Sequence, residues 1–267
     1  MVFRAPGIPE LASNGAHEGT NRYEYGEQDL KSEKSFQLDA GIDINSEHVS
    51  FSASLFYNAM KDFIYYSKLS GVAGGDSIIT NGGEDFFAFR FRQGNASLYG
   101  AEMNLDIHPH PLDWLHFENT FSYVRGKLGE KQDGSNNLPF IPAARLINEL
   151  RGDFLRKGKA VKNLYAKVEL DNTFAQNDPF TGYNTETKTP GYSLFNAGFG
   201  GDIVSKGKTL FSLYLAANNI ADVAYQSHLS RLKYAPENLV TGRMGVFNMG
   251  RNFSVKLNIP LEFTVKE

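Results

Sequence analysis

The chain has no cysteine, which excludes a disulfide framework, a thiolate zinc site and a thiol nucleophile. It has no apolar run of about eighteen residues, so no transmembrane helix is expected. Barrel strands remain open, because they alternate and leave only a weak hydropathy signal. No basic cluster is present and the net charge is −3, which argues against a nucleic-acid partner. The opening "MVFRAPGIPEL" has neither a basic start nor an apolar core, so it is no signal peptide. A secreted or outer-membrane reading therefore expects the natural N-terminus to lie upstream. G-x-S-x-G, H-E-x-x-H and a P-loop lysine are all missing, which leaves catalysis without a motif. No enzyme and no cofactor are expected.

What is present is alternation. The 267 residues are 41% hydrophobic and 21% charged, with 21 Phe and 13 Tyr, a globular composition. Near the end, "GRNFSVKLNIPLEF" sets Phe253, Val255, Leu257, Ile259 and Leu261 against polar neighbours. Period two is the signature of a strand with one apolar and one polar face. The same pattern recurs over 33–45, 48–60, 96–107 and 162–175. Further candidates cover 112–127, 143–157, 190–205, 208–219 and 247–263. These make about nine strands, most of them longer than the roughly five to six residues usual in soluble sheets.

The connections alternate too. Short turn-like pieces lie near 44–48, 108–111, 156–162 and 205–208, rich in Gly, Pro, Asn and Ser. Long polar stretches occupy 1–32, 67–86, 127–142, 176–190 and 219–246. Short turns on one rim and long loops on the other is the layout of an outer-membrane barrel. Charge decides which solvent each face meets. Lys167, Glu169 and Asp171, and Arg145, Glu149, Arg151 and Asp153, are dense for the outer face of a small soluble sheet and ordinary for a wet lumen. The pattern predicts an all-β, antiparallel transmembrane β-barrel, with Leu164, Val168 and Leu170 toward lipid. Single-chain bacterial barrels have an even strand number, so nine strands predict the last part of a larger barrel, or an open curved sheet. A soluble β-sandwich binding module is the alternative, as is a barrel enzyme such as an outer-membrane protease or phospholipase.

"FRAPGIPEL" (3–11), "RYEYGEQDLKSEKS" (22–35), "LAANNIADVAYQSHLSRL" (215–232) and "MGRNFSVKLNIPLEF" (249–263) together resemble the C-terminal part of a TonB-dependent receptor. The resemblance implies a twenty-two-stranded outer-membrane barrel plugged by an N-terminal domain, with residues 1–267 as its last portion. It implies active uptake of a scarce nutrient in a Gram-negative bacterium, most naturally an iron chelate, haem or another metal complex. Its implied partners are TonB, through a plug absent from this chain, outer-membrane lipid, and the barrel-assembly machinery that reads a terminal aromatic. Phe263 matches that aromatic, although "TVKE" follows it.

The stretch "SNGAHEGTNRYEYG" (13–26) holds His17, Glu18, Tyr23 and Glu24, whose nitrogen, carboxylate and phenol groups suit zinc or iron. In haem receptors of the family, a "FRAP" box and an "NPNL" box bracket a haem-binding His. Phe3-Arg4-Ala5-Pro6 matches the first box. Glu27-Gln28-Asp29-Leu30 keeps only the final Leu of the second, and His17 lies between. The same spacing also resembles receptors for zinc and other metal complexes, and the plainer reading is that these residues pack the loop against the barrel rim. His228, in the last long loop, is a further ligand candidate, with a loop helix packed on the barrel mouth as the plainer reading. His108 and His110 in "HPHP" are two residues apart. Prolines and the want of a nearby third ligand favour ordinary turn chemistry there. His116 is expected as a lone polar residue on the lumen side near the short-turn rim.

Overall fold

A computed structural model describes residues 1–261, the side chain of Glu18 excepted. In chain order the elements are β1 (Val2–Arg4), α1 (Ile8–Ala12), β2 (Asn14–His17), β3 (Arg22–Tyr25), β4 (Glu33–Asn45) and β5 (Val49–Lys68). There follow β6 (Ile78–Asn81), β7 (Glu84–Ile107), β8 (Leu115–Gln132), β9 (Ser135–Asn137) and β10 (Arg145–Leu155). The last four are β11 (Val161–Thr173), β12 (Tyr192–Ser205), β13 (Lys208–Asn218) and β14 (Asn252–Asn258). All fourteen strands join one sheet, whose main path is β1-β4-β5-β7-β8-β10-β11-β12-β13-β14. Among the described residues the ends of that path do not pair with each other, so the sheet is open.

The nine long strands are those the alternation predicts, and neighbours among them are antiparallel throughout. Short links such as Lys206-Gly207, with φ of 50° and 80°, fall on one rim. Two positive-φ residues are what a tight hairpin turn requires to match strand twist. All the long loops fall on the opposite rim.

Three features differ from the sequence expectation. The strands over 48–60 and 96–107 continue upward to Lys68 and back to Glu84, forming a tall arm. A register shift between Met60 and Phe63, with Asp62 at φ 58°, marks where the arm begins. Second, β8 leaves β7 beyond the Ala96–Leu128 pair, and β3 fills the freed edge in parallel, the one parallel pairing described. Third, the final strand starts at Asn252 rather than near 247. Loop partners hold the residues before it: Asn248 N–H donates to Tyr225 O at 2.9 Å and Arg251 N–H to Asp222 Oδ1 at 2.8 Å. Phe263 lies outside the described residues.

Register settles the faces. Leu150 pairs with both Val168 and Phe117, and Val168 with Ala197. The row continues through Ala217 to Phe253 and, toward the other edge, through Ile107 to Val49, and the same face carries the exposed Leu215, Val255, Met103, Leu55 and Ile42. Trp114 and Phe154, ring centroids 5.4 Å apart, stand at the short-turn end of this face, as an interfacial aromatic girdle does.

The opposite face is a ladder of charge. Arg145 grips Asp171 through two bonds of 2.7 and 2.6 Å. Lys167 Nζ lies 2.7 Å from Glu149 and 3.5 Å from Glu169. Arg151 stacks 4.1 Å over Tyr165. Gly198 and Gly200 of β12 make room for these neighbours, and a Cβ on Gly198 would sit 3.1 Å from the Lys167 side chain. A Cβ on Gly200 would sit 2.7 Å from the rings of both Tyr165 and Tyr214.

Candidate functional site

Buried apolar packing concentrates at the loop rim, on the charged face's side. Ala96 and Leu128 from the strands meet Leu138 and Phe180 from two loops. Glu186 joins those loops, accepting the backbone N–H of Phe140 and of Phe180, each at 2.9 Å. Burial raises the pKa of its carboxyl. Tyr183, at a positive φ of 57°, is locked by its N–H to Asp133 at 2.7 Å and by its hydroxyl 3.0 Å from Ser67. A φ of that sign is uncommon for an aromatic residue and persists only where its surroundings hold it.

Beneath these loops is a cavity of about 460 Å³, walled by Phe63, Tyr66, Phe89, Phe140, Phe180 and Tyr183 and reached by Arg22. The volume is within the range of small-molecule sites. Arg22 lies 5.2 Å from the Tyr66 ring and 4.7 Å from the Phe89 ring. Burial first, and then Arg231, lower its pKa. An aromatic cavity with one guanidinium suits a flat, anionic ligand.

The β2–β3 hairpin delivers Arg22, which pairs across it with His17. His17 is exposed, with Nδ1 3.2 Å from Thr20 Oγ1. Tyr23 donates its hydroxyl to Asn14 at 3.1 Å. Glu24 is buried and accepts from the Tyr66 hydroxyl at 3.3 Å. The Glu18 side chain lies outside the described ones. His228 is buried in another loop, with Nδ1 2.8 Å from Thr189 Oγ1 and 3.3 Å from Lys233 Nζ. Burial, then Lys233, hold its pKa down to about 4, so it packs as a neutral ring beside the short helix Arg231–Tyr234. Among the described residues, no group of three His, Asp or Glu donors close enough to hold a metal includes His17, Glu24 or His228; Asp106, His108 and His116 form such a group.

Arg4 of the "FRAP" stretch has a structural task. It makes bonds of 2.9 and 3.0 Å to Glu10 of α1 and also binds Glu33, tying the loop over 5–32 to β4. The sequence pattern does not point to Arg22 or to the aromatic wall. Arg22 stands inside the stretch that drew attention to His17 and Tyr23, but nothing local marks it as a cavity residue.

Residues 1–220 match the family model described as "TonB dependent receptor-like, beta-barrel". The chain belongs to the TonB-dependent receptor family. Receptors of this family are bacterial outer-membrane proteins, and the solved relatives are transporters or receptors rather than enzymes. The copper transporter OprC shares 20% identity at a TM-score of 0.69, covering 96% of this chain and 35% of OprC. The FrpB iron transporter from Neisseria meningitidis shares 14% at 0.60, covering 90% and 33%. The siderophore receptor PirA from Acinetobacter baumannii shares 18% at 0.59, covering 96% and 37%. This receptor chain thus spans about a third of the length of the solved receptors it matches.

Proposed function

We propose that this chain is the C-terminal barrel portion of an outer-membrane receptor that takes up a scarce nutrient, energised through TonB. The cargo is a metal complex: an iron chelate, haem or a related compound. The observation that carries this reading is the pairing of one lipid-suited face with one charged face across nine long strands, beneath loops that enclose an aromatic, arginine-bearing cavity. The remainder of the receptor would supply the plug and the TonB contact. The barrel-assembly machinery and outer-membrane lipid are the partners its strands require.

At the loop rim, Arg22 and the aromatic wall hold the complex, and the hairpin bearing His17, Glu18, Tyr23 and Glu24 borders it. His228 serves from behind, keeping the 219–251 loop closed. No step in this scheme is enzymatic.

The test is uptake by cells that carry or lack the receptor containing this chain. Ferric chelates, haem and copper are offered under starvation, with and without a protonophore. Receptor-dependent uptake of one of them that collapses with the protonophore is the expected result. Uptake indifferent to the receptor, or to the protonophore, overturns the proposal. Arg22→Ala should weaken binding of the accepted complex about tenfold, the loss of roughly 1.4 kcal/mol from one charge-assisted bond to an anionic group of the complex.

A further inference from the structure

Three histidines and an aspartate meet at the short-turn rim, far along the strands from the cavity. β7 carries Asp106 on its charged face, ends, and turns through His108-Pro109-His110-Pro111 before β8 brings back His116. His48, just before β5, accepts the His108 N–H at its carbonyl, 3.0 Å away. The His116 Nδ1 lies 3.1 and 3.3 Å from the two Asp106 oxygens, and the His108 Nδ1 lies 3.4 Å from one of them. One donor atom from each of the three residues lies within 4.8 Å of the others. Ring centroids are 5.1 Å apart for His108 and His116, and 6.3 Å for His48 and His108.

These spacings are those of metal ligands. Bonds of about 2.0–2.1 Å in a tetrahedron place ligand atoms roughly 3.3 Å apart. The observed 3.1 and 3.4 Å straddle that figure. A second observation points the same way. The Nδ1 atoms of His108 and His48 are shielded from solvent and make no hydrogen bond, with only the longer contacts to Asp106 at 3.4 Å and Asp113 at 3.8 Å, and a buried polar atom without a hydrogen bond calls for one.

We propose that Asp106, His108 and His116 form a binding site for a transition-metal dication, with the His48 ring 6.3 Å from that of His108 and Glu118 across the strand from Asp106. Imidazole with one carboxylate suits Zn(II), Ni(II) or Cu(II). Without metal, Arg156 approaches His116 Nε2 at 3.4 Å, so the ring proton sits on Nδ1 and is donated to Asp106. Loading through Nδ1 moves that proton to Nε2 and displaces Arg156, which also donates to the Asp113 carbonyl at 3.2 Å and lies 3.9 Å from Asp153. The site stands on this geometry; its role as the last station for cargo leaving the lumen rests on the transport reading.

The experiment uses the receptor containing this chain, extracted in mild detergent and stripped with a chelator. Cu(II) is titrated with electron paramagnetic resonance, and Zn(II) stoichiometry is read by equilibrium dialysis. The wild type should show nitrogen splitting from at least two imidazoles. The His108→Asn, His116→Asn double variant should lose one equivalent, or bind at least tenfold more weakly, while His110→Asn, in the same turn but outside the three-donor group, retains it. Asp106→Asn replaces the double variant if that variant fails to assemble, under the same criterion. A wild-type spectrum without nitrogen splitting, or equal stoichiometry and affinity in the variants, overturns the site. Lost binding with normal uptake supports the site and overturns only its exit role. Intact binding without energised uptake overturns the transport reading and leaves the site standing.

Discussion

Arginine in place of Val168 is the sharpest probe of which face meets lipid. Val168 lies near the middle of β11, paired with Leu150 and Ala197 on the apolar face and 41% exposed in the open sheet. The thirteen residues of that strand, at about 3.3 Å each and a tilt of about 40°, rise roughly 33 Å. That exceeds an apolar band about 25 Å tall, so Val168 falls well inside it. An arginine at the midplane of a barrel's lipid face costs about 2–4 kcal/mol. In equilibrium terms this is about 30- to 700-fold. The comparison is Lys167→Gln, one residue away and facing the lumen. It forfeits the contacts to Glu149 and Glu169 at 2.7 and 3.5 Å. A partly exposed pair of that kind contributes about 1 kcal/mol or less. Urea unfolding of the receptor in phospholipid vesicles, followed by the heat-modifiable gel band, measures both. The expected order is a large loss for Val168→Arg and a small one for Lys167→Gln. Equal midpoints for Val168→Arg and wild type, or the reverse order, would refute the assignment of faces.

Two further outcomes follow from the loops. Arg4→Ala should free the segment 5–32 by about 1 kcal/mol, discounted for a half-exposed side chain, so protease nicking there rises several-fold; an unchanged cleavage rate argues against the Arg4–Glu10–Glu33 tie. His228 titrates near 4 in place and near 6.5 when released, so between those values the opened loop binds more protons than the closed one. Its contribution is therefore complete above about pH 6.5 and is lost as pH falls toward 4. Hydrogen exchange over 219–251 should quicken in that window, and His228→Gln should abolish the acid effect, because the raised carboxyl of Glu186 pushes the opposite way. A His228→Gln protein with the wild-type acid response would show that another group is responsible.

Period-two alternation was enough to read nine strands, two unlike faces and the two kinds of rim, because each strand writes its environment into every second residue. Leu164, Val168 and Leu170 against Lys167 and Glu169 state the division of lipid and lumen locally, with no need of partners. The chain's strand ends were less legible. Those of β5 and β7 depend on a bulge at Asp62 and on a β3 strand far away in sequence. Sites were least legible of all. His17, Tyr23 and Glu24 are neighbours in sequence, yet strand alternation sends Tyr23 and Glu24 to opposite faces of their hairpin. His228 is spent on closing its own loop. Asp106, His108 and His116 lie within eleven residues of each other, but only the β7–β8 turn and its register fold them into one group. The same holds for Arg22 over Tyr66 and Phe89, since a cavity is closed by loops whose contacts are set in three dimensions. Faces are a property of the strand and can be read from it; convergence is a property of the sheet.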